Sequence, residues 1–194
     1  MNTLIVLMAL LGLTALPGVA RAEFVAAKLT GFQEVPSVST VARGEFRARI
    51  NKDQQSIDYE LTYEGLQGNV TQAHIHFAQR HVNGGIVLWF CGTTSNPGPA
   101  GTPTCTAGSG TFSGTFVSAN VQALVGDNAA QQVGAGELAE VIAAMRSGAA
   151  YANVHTDLSR GGEIRGQIRA SHKDRDRHRD KDKNKDKDKD RGRR

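Results

Sequence analysis

The sequence predicts an all-β body: an antiparallel immunoglobulin-like or Greek-key sandwich or barrel carrying one short helix. Three observations predict it. Apolar residues recur mostly with a period of two, several short strand-like runs follow one another between turn residues, and a single segment shows helical spacing. There is no strand–helix alternation of the kind that builds a parallel sheet.

The elements follow in order. Residues 24–30 make a first strand, and Val35-Pro36 then breaks pairing at an edge. Phe46, Ala48 and Ile50 alternate with Glu45, Arg47 and Arg49, and Ile57, Tyr59, Leu61 and Tyr63 alternate with Asp58, Glu60, Thr62 and Glu64. Both are half-buried antiparallel strands, one face dry and one wet, joined through the polar residues 51–55. Residues 72–78, 85–90 and 110–118 add three more, rich in β-branched and aromatic side chains. Residues 86–90 are apolar on both faces, which predicts a central strand covered on both sides. Leu138, Val141, Ile142 and Met145 recur at helical spacing within residues 136–146, and Ser147-Gly148 supplies a stop. Residues 149–156 and 163–169 then form a closing hairpin around 157–162.

The two ends differ from this body. Residues 1–22 read as a secretory signal: an almost unbroken apolar run from Leu4 to Leu16, then Pro17-Gly18 and the small-x-small site Ala20-Arg21-Ala22. The run is short for a membrane span. Residues 171–194 hold no aliphatic or aromatic side chain, so they lack the apolar surface that offsets the entropy of ordering and are expected to be a charged, disordered tail. This tail carries 12 basic and 7 acidic residues, whereas residues 23–170 carry 10 basic and 12 acidic. The basic character of the chain therefore belongs to its tail. Alternating Lys and Asp cancel over a Debye length of about 8 Å, which leaves Arg191, Arg193 and Arg194 as the locally basic cluster for contact with anionic surfaces. No aromatic residue is interleaved for base stacking, and no nucleic-acid partner is expected.

Between the ends lies a single domain, residues 23–170, with two cysteines. In an exported protein the isolated pair Cys91 and Cys105 forms a disulfide, closing a Gly/Pro/Thr loop and contributing on the order of 3 kcal/mol. Neither cysteine lies in a Cys-x-x-Cys pair, so a thiolate metal site is the weaker reading.

Chemistry concentrates in two segments. In Ala73-His74-Ile75-His76-Phe77 the two imidazoles share one strand face, about 7 Å apart at the backbone. Tyr151-Ala152-Asn153-Val154-His155-Thr156 and Glu163-Ile164-Arg165-Gly166-Gln167 add a third imidazole, a carboxylate and a guanidinium. Neutral imidazoles suit copper, zinc or nickel, so His74, His76 and His155 are the candidate metal ligands. The competing reading is structural: a buried polar network of His74, His76, Asn153, Glu163 and Arg165, with Glu163 or Arg165 hydrogen-bonded to imidazole nitrogens and backbone carbonyls. His81 reads as a solvent-facing loop residue, and Glu34 as a hydrogen-bond partner at a strand end. Gly161-Gly162 is a turn with no helix start behind it, no Gly-x-Ser-x-Gly elbow occurs, and Asp58, Glu60 and Glu64 lie on a wet strand face. No catalytic residue is assigned.

These pieces resemble the chordin-type (CHRD) domain, as found in bacterial exported proteins. The matching motifs are Leu29-Thr30-Gly31-Phe32-Gln33-Glu34-Val35-Pro36, Ala73-His74-Ile75-His76, Asn83-Gly84-Gly85, the Tyr151–Thr156 run and Gly162-Glu163-Ile164-Arg165-Gly166-Gln167. The resemblance implies an all-β immunoglobulin-like barrel. A second, weaker likeness runs to copper–zinc superoxide dismutases, through the His-x-His strand, His155 before Asp157-Leu158-Ser159-Arg160-Gly161-Gly162, and Arg165 as an anion guide. No separate His/Asp cluster stands between those segments, and His81 is the one candidate fourth imidazole.

The leading expectation is a secreted or periplasmic binding or structural module of the cell envelope, with protein or polysaccharide partners and the tail as an electrostatic tether. The alternative is a copper-binding protein with superoxide dismutase-like activity at His74, His76 and His155.

Overall fold

The computed structural model describes residues 22–171. The signal-sequence reading of residues 1–22 and the tail reading of 171–194 fall outside it, apart from Ala22 and Ser171. The strands are β1 (Glu23–Thr30), β2 (Arg43–Ile50), β3 (Ser56–Glu64), β4 (Val70–Phe77), β5 (Gly85–Cys91), β6 (Gly110–Val117), β7 (Ala150–Thr156), β8 (Ile164–Gln167) and β9 (Arg169–Ala170), with one α-helix, α1 (Leu138–Ser147), before β7. All pairings between them are antiparallel, in the order β5-β4-β7-β8-β1-β2-β3-β6, and β9 pairs with β1.

Eight strands curl into a nearly closed barrel, the all-β class that the period-two pattern predicts. Its interior takes one parity from each strand: Val25, Ala27 and Leu29 from β1, Phe46, Ala48 and Ile50 from β2, Ile57 and Leu61 from β3, Ala73 and Ile75 from β4, Ala152 and Val154 from β7, all buried. The seam between β5 and β6 carries no strand pairing. It is filled by aromatic contacts, with Phe90 and Phe116 ring centres 5.7 Å apart, Phe90 and Tyr59 at 5.3 Å, and Tyr59 stacked on Phe116 at 4.0 Å. Each such pair is worth about 0.5–1.5 kcal/mol beyond its burial.

Helix α1 buries Leu138, Val141, Ile142 and Met145, packs against β7 and β9, and ends at Gly148 in the left-handed conformation. Arg146 in its last turn pairs with Glu23 at the start of β1, at 2.7 Å.

Two expectations are corrected. Residues 86–90 are covered on both faces, but β5 pairs only with β4 and is not central. Its outer edge is capped by irregular chain: Gln122 N donates to Val87 O, and Gly92 exchanges backbone bonds with Pro103 and Cys105. Val35-Pro36 does interrupt pairing, since it lies outside any strand, but not at a sheet edge: β1 before it lies between β8 and β2. The chain leaves β1 through a short 3-10 turn, Gly31–Gln33, and residues 34–42 pass over the outside of the wall formed by β8 and β7.

Candidate metal centre

The polar residues singled out in β4, β7 and β8 lie on the outer face of the barrel wall. His74 pairs with Asn153, Asn153 with Arg165, and Arg165 with Thr30, so one row of outward side chains crosses four strands. His76 pairs with Tyr151 and Tyr151 with Gln167 in the next row. The opposite parity of the same strands (Ala73, Ile75, Ala152, Val154, Ile164) faces the core.

An outer face would ordinarily be wet. Here His74, His76, Asn153, His155, Glu163, Arg165 and Gln167 are all buried, and His74 is 0% exposed. Three irregular segments roof them. Residues 34–42 are held by Asn153 Nδ2 donating to Glu34 Oε1 at 2.7 Å and Thr40 Oγ1 donating to Glu163 at 2.8 Å. Residues 78–84 are held by the Arg165 guanidinium, which donates to Asn83 Oδ1, Gln79 O and Val82 O. The third, residues 92–104, is closed by the Cys91–Cys105 disulfide. Its Gly98 lies so close to Trp89 that an added Cβ would sit 2.8 Å from the indole. Trp89 in turn meets His74 edge-on, ring centres 5.0 Å apart.

The three imidazoles come together. Ring centres of His74 lie 4.5 Å from both His76 and His155, and one ligand nitrogen from each falls within 4.8 Å of the others. The β4–β5 register shifts beside His74 and again beside His76. Such irregularities re-aim strand side chains. Two tautomers follow from hydrogen bonding. His76 Nδ1 lies 2.7 Å from Gly84 O and His155 Nδ1 lies 2.9 Å from Arg160 O; a carbonyl only accepts, so each Nδ1 carries the proton and each Nε2 keeps its lone pair. Those two Nε2 atoms and both ring nitrogens of His74 are buried without a hydrogen-bond partner among the described residues.

Burial also keeps the rings neutral. It depresses His74 far below the usual imidazole range, helped by His76 and His155, brings His76 down to about 3, and lowers His155. Tyr151, on the strand between β4 and β8, stacks against His76 at 4.6 Å, and the Arg165 guanidinium sits 3.4 Å from the centre of the same phenol ring.

The frame around the rings is tied together by its own hydrogen bonds, with Gln167 Oε1 left buried without a partner among the described residues. Glu163 accepts from Thr40, Thr156 and the backbone amides of Gln67 and Gly68, tying four stretches of chain together. Gln167 Nε2 donates to Ala78 O, Gly148 O and Ala150 O. Gly162 is needed beneath Glu34: its φ of +127° suits glycine, and a Cβ would fall 2.5 Å from both Glu34 Oε1 and Asn153 Nδ2.

The structure thus gathers His74, His76 and His155, and sets Asn153, Glu163 and Arg165 in polar networks around them. One expectation of that network is corrected. Neither Glu163 nor Arg165 bonds to an imidazole, because the threonine hydroxyls, backbone amides and 78–84 carbonyls already occupy them. Arg165 is 1% exposed and lies over Tyr151, so it is not placed to guide an anion from solvent. His81 is exposed in the 78–84 loop. Sequence reasoning missed Tyr151 and Trp89. Tyr151 shares the parity of Asn153 and His155 and was legible in that way. Trp89 was not, since its approach depends on the β4–β5 irregularities.

A barrel whose outer wall carries this roofed polar centre defines a small β module built for binding or structural duty. The chain belongs to the CHRD domain family, whose pattern matches residues 25–168. No curated protein and no solved structure matches it.

Proposed function

We propose that this protein is an exported CHRD module of the cell envelope that holds one transition-metal ion at His74, His76 and His155. The observation that carries the reading is the set of buried, unpartnered imidazole nitrogens. Two of the rings are oriented by backbone carbonyls in the manner of outer-shell partners of metal-bound histidine, leaving Nε2 free to donate to an ion. Left unpaired, each such acceptor costs about 1–3 kcal/mol. A bound ion turns that cost into coordination, and imidazole suits copper, zinc and nickel.

Export is supported by the signal-like residues 1–22 and by the Cys91–Cys105 disulfide, which needs an oxidising compartment. The charged residues 171–194 supply an electrostatic tether to anionic envelope material, and protein or polysaccharide are the partners. Superoxide dismutation is not part of the proposal, since the likeness reaches the three histidines and not a guiding arginine.

Metal analysis of the full chain, purified without a His-tag, tests the centre. The expected result is one ion per chain, lost in His76→Ala and in His155→Ala. Metal-free protein after loading and desalting, with cooperative melting in the parent, overturns it. Retention on envelope material that is equally salt-sensitive after deletion of residues 171–194 removes the tether.

A further inference from the structure

We infer that the centre is built for monovalent copper, Cu(I), in preference to any divalent ion; this deepens the metal-site reading above and rests on it. Ligand softness does not choose the ion, since imidazole accepts several metals, and intrinsic affinity alone favours Cu(II). Charge and coordination number choose it.

The donor set is three neutral imidazoles with no carboxylate or thiolate among them. The neighbouring carboxylates are engaged elsewhere: Glu34 with Asn153, Glu163 with Thr40, Thr156 and two backbone amides, and Asp157 with Asn69. The charge set next to the rings is positive, the Arg165 guanidinium on the Tyr151 phenol that stacks on His76. No carboxylate is hydrogen-bonded to an imidazole among the described residues, so none is placed in the donor set to balance a second positive charge. The cost of carrying an ion out of water grows as the square of its charge, so a dication is roughly four times as costly here as a monocation of equal size.

The walls point the same way. Zn(II) in closed sites takes four ligands and Cu(II) takes a tetragonal set. Beside the three imidazoles stand an indole edge and a phenol face, Trp89 against His74 and Tyr151 against His76, and the Tyr151 hydroxyl already accepts from Gly84 N at 3.4 Å. Three nitrogens inside an aromatic cage suit a closed-shell ion content with three ligands.

The test uses the full chain without a His-tag. Cu(I) is titrated without oxygen against a bicinchoninate competitor, and Cu(II) and Zn(II) are titrated separately. Each series is repeated on His76→Asn and His155→Asn, whose amides can still donate to Gly84 O and Arg160 O but lack the second nitrogen. These variants also subtract binding at His81, His172 and His178. Trp89 is the sole tryptophan, so its emission reports loading beside His74. Expected is one Cu(I) per chain, bound at least ~100-fold more tightly than Zn(II) or Cu(II), changing Trp89 emission and lost in both variants. A divalent ion bound as tightly or more tightly, and lost in both variants, overturns the Cu(I) inference and leaves the metal site standing. If no ion is lost in the variants, both fall.

Discussion

The Asn153 amide donates to Glu34 Oε1 at 2.7 Å, fastening the loop that follows β1 to the strand that carries His155, 119 positions further along the chain. Burial raises the Glu34 carboxyl from 4.5 to about 7, against the lowering pull of the Asn153 bond and of Arg165.

A pH dependence follows from that carboxyl. Its folded pKa lies above its unfolded one, so the folded state holds more protons between pH 4.5 and 7, and stability falls as pH rises through that window. The loss amounts to at most about 3 kcal/mol by pH 8. Glu34→Gln keeps the acceptor for Asn153 and removes the slope. Melting temperatures of both proteins from pH 5 to 8 check it; parallel curves would mean the carboxyl is not held neutral.

The histidines act with the opposite sign. Their folded pKa values lie below 6.5, so the unfolded state binds more protons under acid and stability falls as pH drops below 6.5 towards 3. Each unit of depression is worth about 1.4 kcal/mol. In a metal-free Glu34→Gln background the histidines are the main source of slope, and adding His76→Asn lessens it while His74 and His155 still contribute. Denaturant unfolding at pH 6.5 and pH 4.5 measures the difference.

Glu163 anchors the roof. Glu163→Gln turns an amide nitrogen towards donors that now meet a carboxylate oxygen, and is expected to cost about 2–3 kcal/mol. Thermal denaturation reads the loss. A variant as stable as the parent would show that residues 40 and 67–68 are held by other contacts.

The disulfide supports the wall beside His74. Cys91→Ser with Cys105→Ser releases a bridge of sequence separation 14, lowering stability by about 3 kcal/mol. Gly98 no longer presses on Trp89, and tryptophan emission shifts to the red. Unchanged emission in a folded double variant would mean that the 92–104 loop stays on the indole unaided.

The alternation of apolar residues in β2 and β3 made these strands legible, because a period of two is a local property of extended chain. The Leu138, Val141, Ile142 and Met145 spacing did the same for α1, and the family motifs marked most of the body. Residues 119–135 gave no such signal. They run through two short 3-10 turns and are fixed by contacts such as Gln131 to Gly85 N, which join distant parts of the chain.

Composition and periodicity alone therefore established an all-β body, put His74 and His76 on one face of one strand, and marked His155 and Glu163 as polar residues within the closing hairpin. Tertiary structure decided that this face lies outside the barrel yet under a roof, that His155 reaches His74, and that Gly84 and Arg160 carbonyls set the tautomers. The reason is that side-chain parity is dictated within a strand. Register, loop cover and backbone partners depend on chain segments far apart in sequence, such as Thr40 and Glu163, which are 123 residues apart.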